Sequence, residues 1–186
     1  MRETVILLFR DLVTQPQETI DFHRDKIVEH DYCWWGWWKK QIEDVPIQLL
    51  SHLAQLAAHN EEQHSVFLFD CGSHRLYEAD LLGVEIAASD EAMRSPEIDK
   101  TPEYYVHLRC AVWLKFSAIR DVSNVPKLLS NMTYISFPTW RNNRYDDFCG
   151  KIIGSTTELD EMLVTLWHVC VHDEEDEKQL ALPIDT

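Results

Sequence analysis

Four tryptophans lie within five positions of this chain, in the segment Tyr-Cys-Trp-Trp-Gly-Trp-Trp-Lys-Lys at residues 32–40. They are Trp34, Trp35, Trp37 and Trp38. Tryptophan combines the largest apolar side chain with an N–H donor and a π-face. Because alternate residues of a strand face opposite sides, Trp34 and Trp37 cannot share a face of a regular strand. We therefore expect some of the rings to reach a surface or a cleft, with Gly36 allowing a bulge or bend.

Clustered indole rings suit two different roles. In a cleft they can stack on a planar ligand or bind a cation. They can equally form a hydrophobic core or an interface with a partner protein. The pattern alone leaves both interpretations open.

The chain is strongly acidic, which constrains its partners. Among 186 residues, 32 are Asp or Glu and 17 are Lys or Arg, so the formal net charge is −15. Without residues 173–186 the count is 26 acidic against 16 basic, so the body remains near −10. Because phosphate neutralisation needs a basic footprint, we do not expect unmodified duplex DNA as a partner. A small local site for a nucleotide is compatible with this charge.

The cysteines and apolar runs indicate a cytoplasmic protein. Five cysteines lack C-x-x-C spacing, so a zinc ribbon or redox pair is not expected. The apolar start at residues 5–9 is too short for a signal peptide and is followed by Arg10 and Asp11. No apolar run approaches the length of a membrane span, and we expect no membrane partner.

Hydrophobic periodicity predicts one α+β domain over residues 1–172, followed by an acidic tail or linker at 173–186. We expect strands at 4–9, 65–70, 75–86, 104–119 and 133–137, with Gly72 allowing the turn at 71–74. We expect helices at 16–30, 44–59 and 155–171, and a short helical turn at 125–129. The last helix begins with a capping box at Ser155 and would place Leu163 and Trp167 together on its apolar face.

Motifs for catalysis or metal binding are not evident. The chain has no G-x-S-x-G, S-x-x-K or H-E-x-x-H motif and no glycine-rich phosphate loop. His168, Cys170 and His172 suggest metal ligands, but on a helix residues two apart do not face one another. The sequence favours a non-enzymatic protein without a metal or cofactor, and leaves open a catalytic set spread over loops.

A polar loop at residues 138–147 offers a second candidate site. It combines aromatic rings with arginine forks and an amide, at Trp140, Arg141, Asn142, Arg144 and Tyr145. Arginine suits phosphate or carboxylate, and asparagine suits the edge of a base. The alternative is that the two arginines pair with nearby carboxylates.

The order of elements resembles the PUA-like group, which includes EVE and YTH domains. The resemblance rests on the hairpin Ser65–Ile86 and on the segment Tyr104–Ile119, which contains Trp113. It implies a curved mixed or antiparallel sheet, a PUA-like barrel, flanked by about three helices. Several such domains read a modified base in an aromatic cage, although this chain lacks their basic face.

These observations favour a non-catalytic sensor that binds a nucleotide-like ligand, either a modified base or a small nucleotide signal. The rings at 34–38 would stack on it, and Arg141 or Arg144 would bind phosphate. One alternative is a protein-interaction or self-association module that uses exposed tryptophans. A weaker alternative is an acidic mimic of nucleic acid. The ending Leu-Ala-Leu-Pro-Ile-Asp-Thr resembles the start of a linker, which suggests a fused effector domain.

Overall fold

The computed structural model describes residues 1–10, 18–59, 64–88, 92–136, 146–161 and 164–172. Within these ranges one seven-stranded sheet has the order β2-β5-β4-β3-β1-β7-β6 and packs against four α-helices. The strands are β1 (Arg2–Phe9), β2 (Cys33–Trp37), β3 (Ser65–Asp70), β4 (Arg75–Ile86), β5 (Val112–Asp121), β6 (Met132–Ser136) and β7 (Leu166–Val171). The helices are α1 (Glu18–His30), α2 (Ile47–Ala58), α3 (Val125–Ser130) and α4 (Thr156–Glu161). The α+β class is confirmed. None of the described helices has the length and apolar character needed to cross a membrane.

The sheet is mixed and is covered on both faces. β1 runs parallel to β3 and antiparallel to β7. Val5 and Leu7 of β1 belong to a core shared with α1 and α2, whereas Ile6 and Leu8 belong to a core shared with α3 and α4. Because both faces are buried, β1 is a continuous apolar run rather than an alternating one.

The sheet curls strongly. β2 and β7 are five strand positions apart, which is about 24 Å in a flat sheet. Yet Trp37 Nε1 at the end of β2 donates a hydrogen bond to Thr165 Oγ1, just before β7, at 3.1 Å. The buried Glu43 carboxylate accepts bonds from the Thr165 amide and hydroxyl, each at 2.7 Å. The predicted curvature is therefore present. No β2–β6 pairing occurs among the described residues, so the closed barrel is not confirmed.

The predicted β3–β4 hairpin is confirmed, but its turn works differently from the expectation. The Asp70 carboxylate accepts bonds from the Gly72 amide at 2.8 Å and from the Ser73 amide at 3.3 Å. The residue with positive φ is His74, at 57°, and not Gly72. A local side chain therefore fixes the turn.

The strand predicted at 104–119 begins eight residues later than expected. Glu103–Tyr105 form a 3₁₀ turn, and Cys110 makes an isolated bridge to Met93 before β5 begins at Val112. The turn lets Tyr105 pack against Trp113, with ring centroids 6.0 Å apart. Aromatic packing thus outweighs the local alternation of apolar residues.

The helix predicted at 155–171 is wrong beyond Glu161, where α4 ends. Its cap is confirmed, because Ser155 Oγ accepts a bond from the Glu158 amide at 3.3 Å. Residues 166–171 instead form β7, which pairs with β1 on one side and β6 on the other. Trp167 is fully buried as expected, but in a strand.

Candidate ligand cavity

The tryptophan cluster lies in and just after the edge strand β2. Its pairing with β5 is regular from Cys33 to Trp37, so the bulge or bend expected at Gly36 is wrong. Trp35 and Trp37 share one face, as strand periodicity requires. Trp34 faces the opposite side, and Trp38 follows the strand with 61% of its surface exposed.

A cavity of about 830 Å³ opens on the face of Trp35 and Trp37. Seven of its described lining residues are aromatic. The aromatic members are Phe9, Phe22, Trp35, Trp37, Trp38, Tyr104 and Tyr105; the polar members are Arg10, Thr19, Lys40, Cys71, Asp160 and Thr165; Leu7, Leu8, Gly36 and Leu108 complete the lining. A cavity of this size, largely apolar with a few polar groups, matches typical small-molecule sites.

The aromatic lining divides into a buried floor and an exposed rim. The floor contains Trp35, Trp37 and Tyr105, which are nearly inaccessible. The rim contains Trp38 together with Phe22 and Tyr104, which are 46% and 43% exposed. A planar ligand could therefore meet rings both at the entrance and inside.

His23 supports the floor from below. Its ring centroid lies 4.4 Å from that of Trp35, and its Nδ1 lies 2.7 Å from the Thr19 carbonyl. Burial lowers the pKa of His23 to about 4, although the bond to the Thr19 carbonyl opposes the shift. The ring is therefore neutral near pH 7 and packs as an aromatic group.

Trp37 is held in a fixed orientation. Its N–H donates to Thr165 Oγ1, and that hydroxyl donates to Glu43 Oε2. The same carboxylate oxygen accepts a bond from the Lys40 amide at 2.9 Å. Because the indole N–H is already satisfied, Trp37 offers a ligand its ring surface and no donor.

Charged groups lie at another wall of the cavity. Arg10 Nη2 is 3.1 Å from Asp160 Oδ1, and it also contacts the Cys71 carbonyl at 3.4 Å. Burial, with the Asp160 charge adding to it, raises the pKa of the Cys71 thiol to about 12, so the thiol is neutral. With Lys40, the described lining carries two cations and one anion.

Trp34 does not line this cavity. Its N–H donates to Glu97 Oε2 at 2.9 Å, and the Tyr32 hydroxyl donates to the same carboxylate. Lys100 bonds both Glu97 and Tyr32. Bonds from Lys100 and Trp34 lower the pKa of Glu97 to about 2. Trp34 thus belongs to a separate polar cluster.

The second predicted site lies outside the part of the chain that the structure describes. It comprises Trp140, Arg141, Asn142, Arg144 and Tyr145. Most of the cavity residues escaped the sequence reasoning, among them Arg10, Phe22 and Tyr104. One signal was available in the sequence. Phe22 does not lie on the face of α1 that contains Ile20 and His23, so its ring could not join the core beneath that helix.

His168 forms part of a polar row across β6, β7 and β1. Its Nδ1 lies 3.3 Å from Ser136 Oγ and its Nε2 lies 3.2 Å from Glu3 Oε2. The Glu3 side chain is 58% exposed, so this carboxylate is solvated rather than enclosed. Within the described ranges, no group of three or more His, Cys, Asp or Glu side chains is arranged to hold a metal ion.

Comparison with known proteins identifies a family for this chain. A protein-family model described as Pua-like matches residues 5–180 of the chain. No curated protein and no solved structure is significantly similar to it.

Proposed function

The chain belongs to the Pua-like family, and on that premise we propose that it is a non-catalytic recognition module for a nucleotide-like ligand. Family membership supports a binding module. The observation that carries the ligand class is the cavity with seven aromatic side chains in its described lining. Every nucleobase has a π-face, so a base can stack on such rings.

The proposed site differs in part from the one expected from sequence. Trp35, Trp37 and Trp38 keep their proposed role, since they line the cavity. Trp34 is withdrawn from the site because it does not line the cavity and its indole N–H bonds Glu97 in a separate cluster. The residues of the 138–147 loop remain proposed contributors.

Nucleotide titration of the purified protein tests the proposal. A panel of mono-, cyclic and modified nucleotides should quench tryptophan fluorescence and raise the melting temperature by mass action. Trp38→Ala should weaken binding by about 5- to 150-fold, because loss of one stacked ring costs roughly 1–3 kcal/mol. The exposure of Trp38 keeps the cost to stability small.

Val28→Ala is the matched control. Val28 is 87% exposed on α1, the helix that also carries Phe22, but it does not line the cavity. Its replacement should leave affinity unchanged. If no nucleotide in the panel changes either the fluorescence or the melting temperature at millimolar concentration, the proposal is wrong.

A docking surface for a protein is the second candidate. It is favoured by the exposure of Trp38, Phe22 and Tyr104 at one rim. Exposed aromatic side chains of this kind are typical anchors of protein interfaces. Self-association that depends on protein concentration and is lost in Trp38→Ala, without any nucleotide response, would favour this candidate.

A further inference from the structure

Arg10 lies in the wall of the aromatic cavity with part of its hydrogen-bonding capacity unused. Its side chain is 63% exposed. Its described hydrogen bonds, to Asp160 and to the Cys71 carbonyl, both come from Nη2. Within the described part of the chain, Nε and Nη1 make no hydrogen bond.

A guanidinium group has five N–H donors in a planar fork. With Nη2 held by Asp160 and Cys71, three N–H donors of Arg10 remain on Nε and Nη1. Nε and Nη1 do not present parallel N–H groups, because Cδ lies between them, so a phosphate would accept a single charge-assisted hydrogen bond from one of these nitrogens.

Arg120 and Arg24 each use two nitrogen atoms in their bonds, whereas the described bond of Arg109 comes from Nε alone. Arg120 uses both terminal nitrogens on the Asp80 carboxylate. Arg24 donates from Nε to a backbone carbonyl and from Nη2 to Asp121. Asp160 therefore restrains Arg10 and leaves Nε and Nη1 able to donate single hydrogen bonds to an anion.

Arg10 and the tryptophan rings line the same cavity, so a single ligand could contact both. We propose that Arg10 binds the phosphate of the ligand, and that the ligand is a nucleotide rather than a nucleoside or a free base. This inference rests on the proposed function and narrows its ligand class. It also proposes a phosphate contact on the residue directly after β1, in addition to the one proposed at Arg141 or Arg144.

Matched ligand pairs test the proposal at constant ionic strength. Each active nucleotide of the panel is titrated beside its nucleoside, by calorimetry, into wild-type protein and into Arg10→Gln and Arg10→Lys. Wild-type protein should bind the nucleotide about 10- to 100-fold more tightly than the nucleoside, because charge-assisted hydrogen bonds contribute this much. Arg10→Gln should lower that ratio by about 10-fold or more while nucleoside affinity stays the same.

Arg109→Gln is the matched control, because it removes the same charge from an exposed side chain that does not line the cavity. It should preserve the ratio. Arg10→Lys keeps a positive charge but places its donors differently, so its ratio should fall between those of wild type and Arg10→Gln. This variant also serves if Arg10→Gln does not fold.

The possible failures are distinguishable. If neither nucleosides nor nucleotides bind, the proposed function is wrong. If nucleoside and nucleotide bind wild-type protein equally, or if Arg10→Gln leaves their ratio unchanged, the role of Arg10 is wrong while the aromatic recognition site stands. An equal loss of affinity for both ligands would also overturn the phosphate assignment.

Discussion

Gly36 is required by close packing rather than by a bend in β2. A Cβ atom at this position would lie 2.6 Å from Cys110 Sγ and 3.0 Å from the Trp113 ring. Both side chains are buried, so neither can move freely. The glycine that separates the two tryptophan pairs therefore makes room for a further tryptophan from β5.

Gly36→Ala should lower the free energy of unfolding by about 1–3 kcal/mol, the usual cost of overpacking a core. Gly83→Ala is the control, since a Cβ there meets nothing within 4 Å. Its effect should stay within about 0.5 kcal/mol. Urea denaturation of the two variants measures the difference, and equal stabilities would show that the Gly36 neighbours relax without cost.

His23 should make stability depend on pH. Its pKa is about 4 in the folded protein, because burial disfavours the charged ring, and about 6.5 when unfolded. Between these values the unfolded state binds more protons, so stability falls as pH falls. Between pH 7 and pH 4 this single group should remove about 3 kcal/mol of unfolding free energy.

His23→Phe isolates that contribution, because it keeps a ring against Trp35 and removes the titrating group. The variant should lose about 3 kcal/mol less stability than wild type between pH 7 and pH 4. Denaturant titrations at both pH values supply the comparison. Parallel pH profiles would mean that His23 already has a low pKa in the unfolded chain or remains solvated in the fold.

At the scale of secondary structure, β7 shows how tertiary context can override local pattern. Leu159, Leu163 and Trp167 recur at four-residue spacing, which predicts a helix. The segment from Leu166 to Val171 is instead an inner strand with both backbone edges paired. Inner strands buried on both faces are continuous apolar runs, and periodicity alone cannot distinguish these from buried helices.

Trp167→Ala should be much more destabilising than Ser155→Ala. Trp167 is fully buried, with its ring centroid 4.9 Å from that of Tyr134, so its truncation should cost roughly 3–5 kcal/mol. Ser155 caps the short helix α4, and its loss should cost about 1 kcal/mol. Thermal and urea denaturation measure both values.

Neither variant should change ligand affinity in the folded protein, since neither residue lines the cavity. A Trp167 variant that keeps its stability but loses the ligand would place β7 in the site.

Secondary-structure elements that are fixed by neighbouring residues could be predicted from the sequence. The candidate site could be predicted only in part. The β3–β4 hairpin is set by Asp70 and its own turn, within reach of sequence reasoning. The cavity joins Trp37 to Arg10 and Tyr104, which are distant in sequence. Their proximity depends on the curl of the sheet, which no local pattern encodes.

The whole molecule combines an aromatic cavity with a strong negative charge. The described cavity lining carries the cations Arg10 and Lys40 and the anion Asp160, and the Glu43 carboxylate bonds Thr165 of the same lining, while the net charge of the chain is −15. A single phosphate needs only a local cation such as Arg10. A duplex presents phosphates along both strands and needs a continuous basic surface.

Unmodified duplex DNA should therefore bind poorly at physiological salt, even though a nucleotide is the proposed ligand. Removal of residues 173–186 should not create binding, because the remaining body still carries 26 acidic against 16 basic residues. Fluorescence anisotropy with a labelled duplex, measured for both lengths of the chain over a range of salt concentrations, provides the test. Tight binding that is independent of base sequence and decreases steeply with salt would reveal a concentrated basic surface. Binding that appears only after the truncation would instead mean that the acidic segment masks such a surface, and the fold would then recognise the polymer rather than a single nucleotide.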